Sequence, residues 1–138
     1  MIKVVTLQQT FRQIESRDGY NAPLRLVILK IDKSMKRTAI VDRIRDVAHK
    51  MSPRVETILY GSEARGEARP DSDIDLLLLV DSDKLCYNDK DRIIAPFYDI
   101  ELDTGIIIST MIMSRKEWED RPFLTPFQYN VKKEGITL

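Results

Sequence analysis

The sequence predicts an α/β (α+β) fold in which helices pack against a short mixed β-sheet. Runs rich in leucine or β-branched residues, bounded by glycine or acidic turn residues, are typical of buried strands. These runs alternate with segments whose apolar residues recur at helical spacing, a pattern that favours helices covering a sheet. The chain has 138 residues, of which 43% are hydrophobic and 32% charged. That size and apolar content suit one domain with a buried core.

The first clear element is a helix that begins at Ser34, a residue suited to an N-cap, and ends at Ser52-Pro53. Proline disfavours a helical conformation in the residue before it. The apolar stripe that predicts this helix consists of Ile40, Ile44, Val47, Ala48 and Met51. Residues 24–31 are predicted to form a short strand. We assign residues 1–33 to an N-terminal extension whose structure the pattern does not define, and residues 34–138 to the functional domain.

The remaining elements follow in chain order. Strands are predicted over Val55–Tyr60, Ile74–Val80 and 106–113, and a helix over residues 88–103. Gly105 is suited to the left-handed residue that follows a helix. Two short helices are predicted near the C-terminus: Ser114 opens the first in a capping box with Glu117, and Thr125 opens the second before a proline.

Composition narrows the class of protein. Lys and Arg together number 22, as do Asp and Glu, so bulk charge does not favour stable binding to a long nucleic acid. The single cysteine, Cys86, excludes an internal disulfide framework. The longest apolar runs are much shorter than the roughly 18–20 residues that span a bilayer, and the first residues lack the apolar stretch of a signal peptide. We therefore expect a soluble, cytoplasmic protein without a membrane association.

The residues suited to chemistry lie between the first two strands of the core. Gly61 and Ser62 end a strand, where glycine permits a close backbone approach and the following amides and the hydroxyl suit a phosphate. Arg65 adds a cationic donor for phosphate oxygens. Asp73 and Asp75 begin the next strand, and the two-residue period places both carboxylates on one face, with Cα atoms about 6.5–7 Å apart. Paired carboxylates of this kind suit Mg²⁺ held together with substrate phosphates, the equipment of phosphoryl or nucleotidyl transfer.

In this motif, Gly61-Ser62 is followed after ten residues by Asp73-x-Asp75. The motif resembles the signature of the nucleotidyltransferase fold of the DNA polymerase β superfamily. At this length the chain is similar to the minimal nucleotidyltransferases, and the resemblance extends from about residue 35 to the end. It implies that Gly61 and Ser62 bind the triphosphate and that Asp73 and Asp75 bind Mg²⁺. Arg65 occupies a position that is usually basic in the family. The implied reaction is attack of a hydroxyl on the α-phosphate with loss of pyrophosphate.

The chain departs from this family at one position. The full site has a third carboxylate on a neighbouring strand, and the matching position here falls on or near Ser109. A neutral hydroxyl does not replace a metal-bound carboxylate or serve as a base. Glu101 and Asp103 are the alternative catalytic acids, but only if the third strand begins early enough to include them. In that case the two side chains would lie on the same face of the strand.

Two functions follow from the resemblance. The first is Mg²⁺-dependent transfer of a nucleoside monophosphate, AMP from ATP in the simplest case, to a hydroxyl. Minimal nucleotidyltransferases often accompany a small helical protein of the HEPN type (higher eukaryotes and prokaryotes nucleotide-binding) in a toxin–antitoxin module, so the acceptor is expected on such a partner and the antitoxin role on this chain. The alternative is a degenerate module that binds nucleotide or a partner without turnover, because the third carboxylate is missing. An RNA- or antibiotic-modifying transferase is a third interpretation, although those relatives usually carry further domains.

Other reactive or charged residues have simpler interpretations. His49 has no cysteine or histidine at metal-ligand spacing, and Cys86 has no partner for a nucleophile pair, so both are interpreted as structural. Residues 30–54 contain eight Lys or Arg against three Asp or Glu. This basic excess could attract a triphosphate or RNA, but a solvated helix face is the simpler explanation.

Overall fold

A computed structural model describes the backbone of residues 22–138 and the side chains of residues 36–138. Most of the predicted N-terminal extension, residues 1–21, lies outside the described residues. The structure divides the chain into compact units at Met1–Met35 and Lys36–Leu138, and the second unit contains the sheet and all the predicted site residues.

The first helix, α1, spans Ala22–Met51 and is longer than the sequence pattern indicated. The predicted strand over residues 24–31 is wrong, because this segment is helical, and Ser34 lies inside the helix instead of capping it. The apolar residues at positions 24, 27, 28 and 31 have helical spacing, so they extend the downstream pattern. Pro23 is compatible with this start, since proline is tolerated in the first turn of a helix.

Four strands form one sheet in the order β3-β2-β1-β4. After α1, the elements in chain order are β1 (Val55–Tyr60), α2 (Gly61–Ala64), β2 (Ile74–Val80), α3 (Tyr87–Thr104), β3 (Ile108–Ser114), α4 (Arg115–Glu119), α5 (Pro126–Glu134) and β4 (Ile136–Thr137). β1 pairs antiparallel with β2 and with β4, whereas β2 and β3 are parallel and are connected through α3. The predicted mixed sheet with packed helices is therefore confirmed. The two-residue strand β4 was not predicted.

The central strand β2 is buried on both faces, and its alternating side chains belong to two apolar clusters. One cluster joins the sheet to the apolar faces of α1 and α3, with Ile44 and Phe97 fully buried. The other contains Leu77 and Leu79 of β2 with Trp118 and residues of α5. Because Asp75 is two residues before Leu77 in β2, the strand period places it on the side of the sheet that α4 and α5 cover.

Three predictions of helix ends are confirmed. Ser114 forms the predicted capping box with Glu117, and Thr125 forms a second one with Gln128. Gly105 closes α3 in the left-handed conformation, with φ of 71°. Among residues 22–138, the structure contains no helix with the length and apolar character of a membrane span.

Candidate active site

The turn after β1 carries the predicted phosphate-binding residues. Gly61 begins α2 with φ of +74°, a left-handed conformation that favours glycine. The turn is closed by backbone hydrogen bonds, in which Arg65 donates to the Gly61 carbonyl at 3.2 Å and Glu67 donates to the Ser62 carbonyl at 2.9 Å. Since α2 is only four residues long, Ser62 lies in a single helical turn at the end of the strand.

Asp75 lies directly against this turn. A Cβ atom added to Gly61 would be 2.5 Å from Oδ2 of Asp75, so the glycine makes room for the carboxylate. The contact follows from the sheet, because Asp75 is the register partner of Tyr60, the last residue of β1. Asp73 precedes β2 and is exposed. The structure therefore brings the predicted metal-binding end of β2 into contact with the predicted phosphate-binding turn.

The electrostatics of the site disfavour negative charge on Asp75 next to Asp73. Burial raises the pKa of Asp75, and the neighbouring charge of Asp73 raises it further, whereas Arg65 acts in the opposite direction. The pKa of Tyr60 is also raised, first by burial and then by the charge of Asp75. Negative charge at this position is thus destabilised in the protein alone. A bound divalent cation would remove that penalty.

Arg65 lies near the two carboxylates but is already paired. Its Nε donates to Glu67 at 2.8 Å, and its Nη1 donates to Glu134, the last residue of α5, at 3.0 Å. These hydrogen bonds raise the pKa of Arg65. The C-terminal helix therefore reaches the edge of the site through Glu134, which the sequence analysis did not identify.

Ser109, which lies on or near the predicted position of a third carboxylate, is on the strand next to Asp75. In the parallel pairing of β2 with β3, Ser109 is the register partner of Asp75, so the two residues lie side by side on the sheet. The alternative that places Glu101 and Asp103 on this strand is wrong, because both residues belong to α3 and β3 begins later, at Ile108. The main prediction, a strand over residues 106–113, had already placed both acids before the strand.

Glu101 and Asp103 have structural contacts in their helix. Oε2 of Glu101 accepts a hydrogen bond from the backbone N–H of Ile108 at 2.9 Å, which stabilises the start of β3. Asp103 forms an exposed ion pair with Arg43 of α1, with an N–O distance of 2.8 Å. Within the part of the chain that the structure describes, no cluster of three or more His, Cys, Asp or Glu side chains is arranged to hold a metal.

The residues present nevertheless fit one Mg²⁺ ion bound together with a nucleotide. Asp73 and Asp75 supply hard oxygen ligands, and Mg²⁺ is commonly held by one or two carboxylates with the other positions taken by phosphates and water. The raised pKa of Asp75 identifies a carboxylate whose charge the protein leaves uncompensated. Asp73 and Asp75 would hold the ion, and Gly61 and Ser62 would face the phosphates that share it.

Arg37 is a further residue that the sequence analysis missed. It lies on α1 with only 7% of its surface exposed, and it forms an ion pair with Glu63 of α2. Its Nη2 also donates to the backbone carbonyl of Asp73 at 3.2 Å. A signal was available, because Arg37 is three residues before Ile40 and so occupies a position on the apolar stripe of the helix.

Comparisons with known proteins found one matching family model and a similar solved structure. The family model for the nucleotidyltransferase domain matches residues 41–134. No curated protein matches the chain. A solved structure described as "Crystal structure of the toxin-antitoxin with AMP-PNP" is similar over 70% of this chain and 69% of its own chain, with 18% sequence identity and a TM-score of 0.45. Because the family model covers most of the chain, the protein belongs to the nucleotidyltransferase domain family.

Proposed function

We propose that this protein is a Mg²⁺-dependent nucleotidyltransferase that transfers AMP from ATP to a hydroxyl group. The observation that carries the proposal is the contact of the Asp75 carboxylate with Gly61. Nucleotidyl transfer depends mainly on positioning and on neutralising charge, and this contact joins a candidate metal ligand to a candidate phosphate-binding turn. Membership in the nucleotidyltransferase domain family supports the same class of reaction.

In the proposed reaction the acceptor oxygen forms a bond to the α-phosphorus, and the bond from that phosphorus to the bridging oxygen of pyrophosphate breaks. Gly61 and Ser62 would hold the β- and γ-phosphates, and Asp73 and Asp75 would hold the cation. When bound, Mg²⁺ supplies neutralising charge for the phosphates and the leaving pyrophosphate. The acceptor hydroxyl loses its proton to water, since Ser109 beside Asp75 offers a neutral hydroxyl and no carboxylate.

We propose further that the acceptor belongs to another protein, a small helical partner of the HEPN type, and that this chain acts as the antitoxin by modifying it. The unit Lys36–Leu138 is used almost entirely to build the sheet, its helices and the proposed site, which favours an acceptor presented from outside. The resemblance to minimal nucleotidyltransferases suggests the partner class, and a shared cytoplasmic location follows from the use of ATP.

One observation favours a second function. Because Ser109 is in register with Asp75, the site lacks the carboxylate that completes the family's catalytic set. The protein would then bind a nucleotide or a partner without transferring a group. This alternative predicts nucleotide binding that depends on Asp73 and Asp75 but yields no product.

The two functions are separated by incubating the full chain with α-³²P-labelled ATP, MgCl₂ and the protein encoded beside its gene. Transfer predicts label on the partner that disappears in Asp73→Ala and Asp75→Ala. Asp71→Ala is the matched control, since Asp71 is an exposed acid outside β2, and it should retain the label. Nucleotide binding without labelling would support the second function. If calorimetry detects binding of neither Mg²⁺ nor ATP, both are wrong.

A further inference from the structure

Arg37 is a buried cation with an unusual set of partners. Charged side chains are rarely buried unless they are paired, and replacing a buried ion pair by apolar residues is often neutral or stabilising. Arg37 is 7% exposed, and its partner Glu63 is largely buried. The Nη1 atom of Arg37 is buried with no hydrogen-bond partner among the described residues. An unpaired buried nitrogen adds a cost. Stability alone is therefore a poor explanation for an arginine at this position.

The two groups that Arg37 binds belong to the two halves of the proposed site. Glu63 follows Ser62 in the single turn of α2, and the carbonyl that accepts from Nη2 belongs to Asp73. One guanidinium group thus spans from the phosphate-binding turn to the residue that precedes β2. The segment between them, residues 65–73, lies outside the helices and strands of the sheet.

The contact matters most at Asp73, because this residue lies just before the strand. The ladder between β1 and β2 ends at the pair Tyr60 and Asp75, and Ile74 is the first residue of β2. Sheet pairing therefore fixes the backbone of Asp75 but does not extend to Asp73. The hydrogen bond from Arg37 restrains the carbonyl of Asp73. The backbone that carries the Asp73 side chain is therefore held in one position.

We infer that Arg37 is a positioning residue for nucleotidyl transfer, which holds the Ser62 turn and Asp73 in a fixed relation by binding Glu63 and the Asp73 carbonyl together. This inference rests on the proposed function. The planar fork of arginine reaches two acceptors at once, whereas lysine offers a compact charge with no fixed fork. Lysine at this position should therefore keep the ion pair with Glu63 but lose most of the restraint on Asp73.

The test uses the full chain and compares three variants. Arg37→Met combined with Glu63→Met removes the buried pair without leaving a lone charge, and Arg37→Lys keeps the charge. Arg43→Met is the matched control, because Arg43 lies on the same helix and forms an exposed ion pair with Asp103 away from the proposed site. Thermal unfolding, Mn²⁺ titration followed by electron paramagnetic resonance, and backbone hydrogen exchange are measured for each.

We expect the double variant to unfold at a temperature equal to or above that of the wild type, to bind Mn²⁺ at least tenfold more weakly, and to exchange amides faster over residues 61–75. Arg37→Lys should show the same two site effects in weaker form, and it provides the test if the double variant does not fold. Arg43→Met should change none of the three measurements. If metal affinity and exchange in the Arg37 variants match the wild type, the positioning role is wrong. If the wild type binds no Mn²⁺, the proposed function fails, and hydrogen exchange still decides whether Arg37 positions the segment.

Discussion

Replacement of Gly61 by alanine tests the contact that joins the turn to β2. Gly61 has φ of +74°, and a Cβ atom there would lie 2.5 Å from Oδ2 of Asp75. Alanine at this position therefore meets two separate penalties, a strained backbone conformation and a clash with the carboxylate. Two other glycines allow these penalties to be measured apart. Gly66 and Gly105 have φ of +72° and +71°, and a Cβ atom at either would have no neighbour within 4 Å.

The structure sets the size of each penalty. The left-handed conformation costs alanine about 1–2 kcal/mol, and this cost should be common to all three glycines. The clash at Gly61 is relieved only if Oδ2 retreats from 2.5 Å to ordinary contact at 3.4 Å, a shift of about 0.9 Å. Since Oδ2 is the free end of a short side chain, Asp75 can rotate away without disturbing the sheet. We therefore expect the clash to add little to the loss of stability.

Metal binding should respond differently, because functional groups must be held within about 0.5 Å of their working geometry. A displaced Asp75 should weaken Mn²⁺ binding by at least about tenfold, equivalent to about 1.4 kcal/mol. Urea unfolding and Mn²⁺ titration are compared for Gly61→Ala and Gly105→Ala. We expect Gly61→Ala and Gly105→Ala to lose similar amounts of stability, and only Gly61→Ala to lose Mn²⁺ affinity. Equal Mn²⁺ affinity in the two variants would refute this expectation.

Three further predictions concern the charges of the site. Asp75→Asn should raise the free energy of unfolding at neutral pH without metal, because the raised pKa of Asp75 shows that folding favours its protonated form. The folded state then binds the proton more tightly than the unfolded state. In urea titrations the gain should therefore shrink as pH falls through the raised pKa of Asp75, and it should disappear below the ordinary value of 3.8. A gain that is independent of pH contradicts this. Ser109→Asp should increase the Mn²⁺ affinity or add a second bound ion in titrations, since Ser109 is in register with Asp75. Ser109→Asn is the control and should do neither. Glu134→Gln should free Arg65 from one of its two carboxylates and strengthen binding of a fluorescent ATP analogue by about two- to fivefold. Weaker or unchanged binding would exclude competition between Glu134 and the nucleotide for Arg65.

Elements that are specified by local chemistry were predicted closely from the sequence. The strands Val55–Tyr60 and Ile74–Val80 match their predicted bounds. The first is rich in β-branched and aromatic residues and ends at a glycine, and the second is a leucine-rich run that ends at an acidic turn. Ser114 and Thr125 were identified as caps because a capping box is a short-range pattern of side-chain and backbone hydrogen bonds.

The error at residues 24–31 has a physical cause. A short apolar run fits both a buried strand and a helix, and periodicity alone does not separate the two. Pro23 before the run resembles the punctuation of a loop, yet it is also compatible with the first turn of a helix. In the structure the run continues into the amphipathic segment that follows, and α1 extends to Met51.

The site was predictable only in its local part. The spacing of Asp73 and Asp75 predicts two carboxylates at the start of β2, but the approach of Asp75 to Gly61 depends on the antiparallel register with Tyr60, which no local pattern defines. Arg37 is 36 residues from the carbonyl that it binds, so its role also required the tertiary structure. Ser109 lies beside Asp75 in the sheet, and its place on β3 could be expected because the capping box at Ser114 marks the end of that strand.

The ion pairs around the site bear on the proposed requirement for a divalent cation. Arg37 is paired with Glu63, and Arg65 is held between Glu67 and Glu134, so both of these guanidinium groups already have carboxylate partners. Burial raises the pKa of Asp75, and the charge of Asp73 raises it further. A triphosphate entering alone would add negative charge to this surface, whereas a divalent cation balances the two aspartates first. Nucleotide binding should therefore depend steeply on Mg²⁺, and ATP that binds equally well in excess chelator would show that the aspartates do not form a metal site.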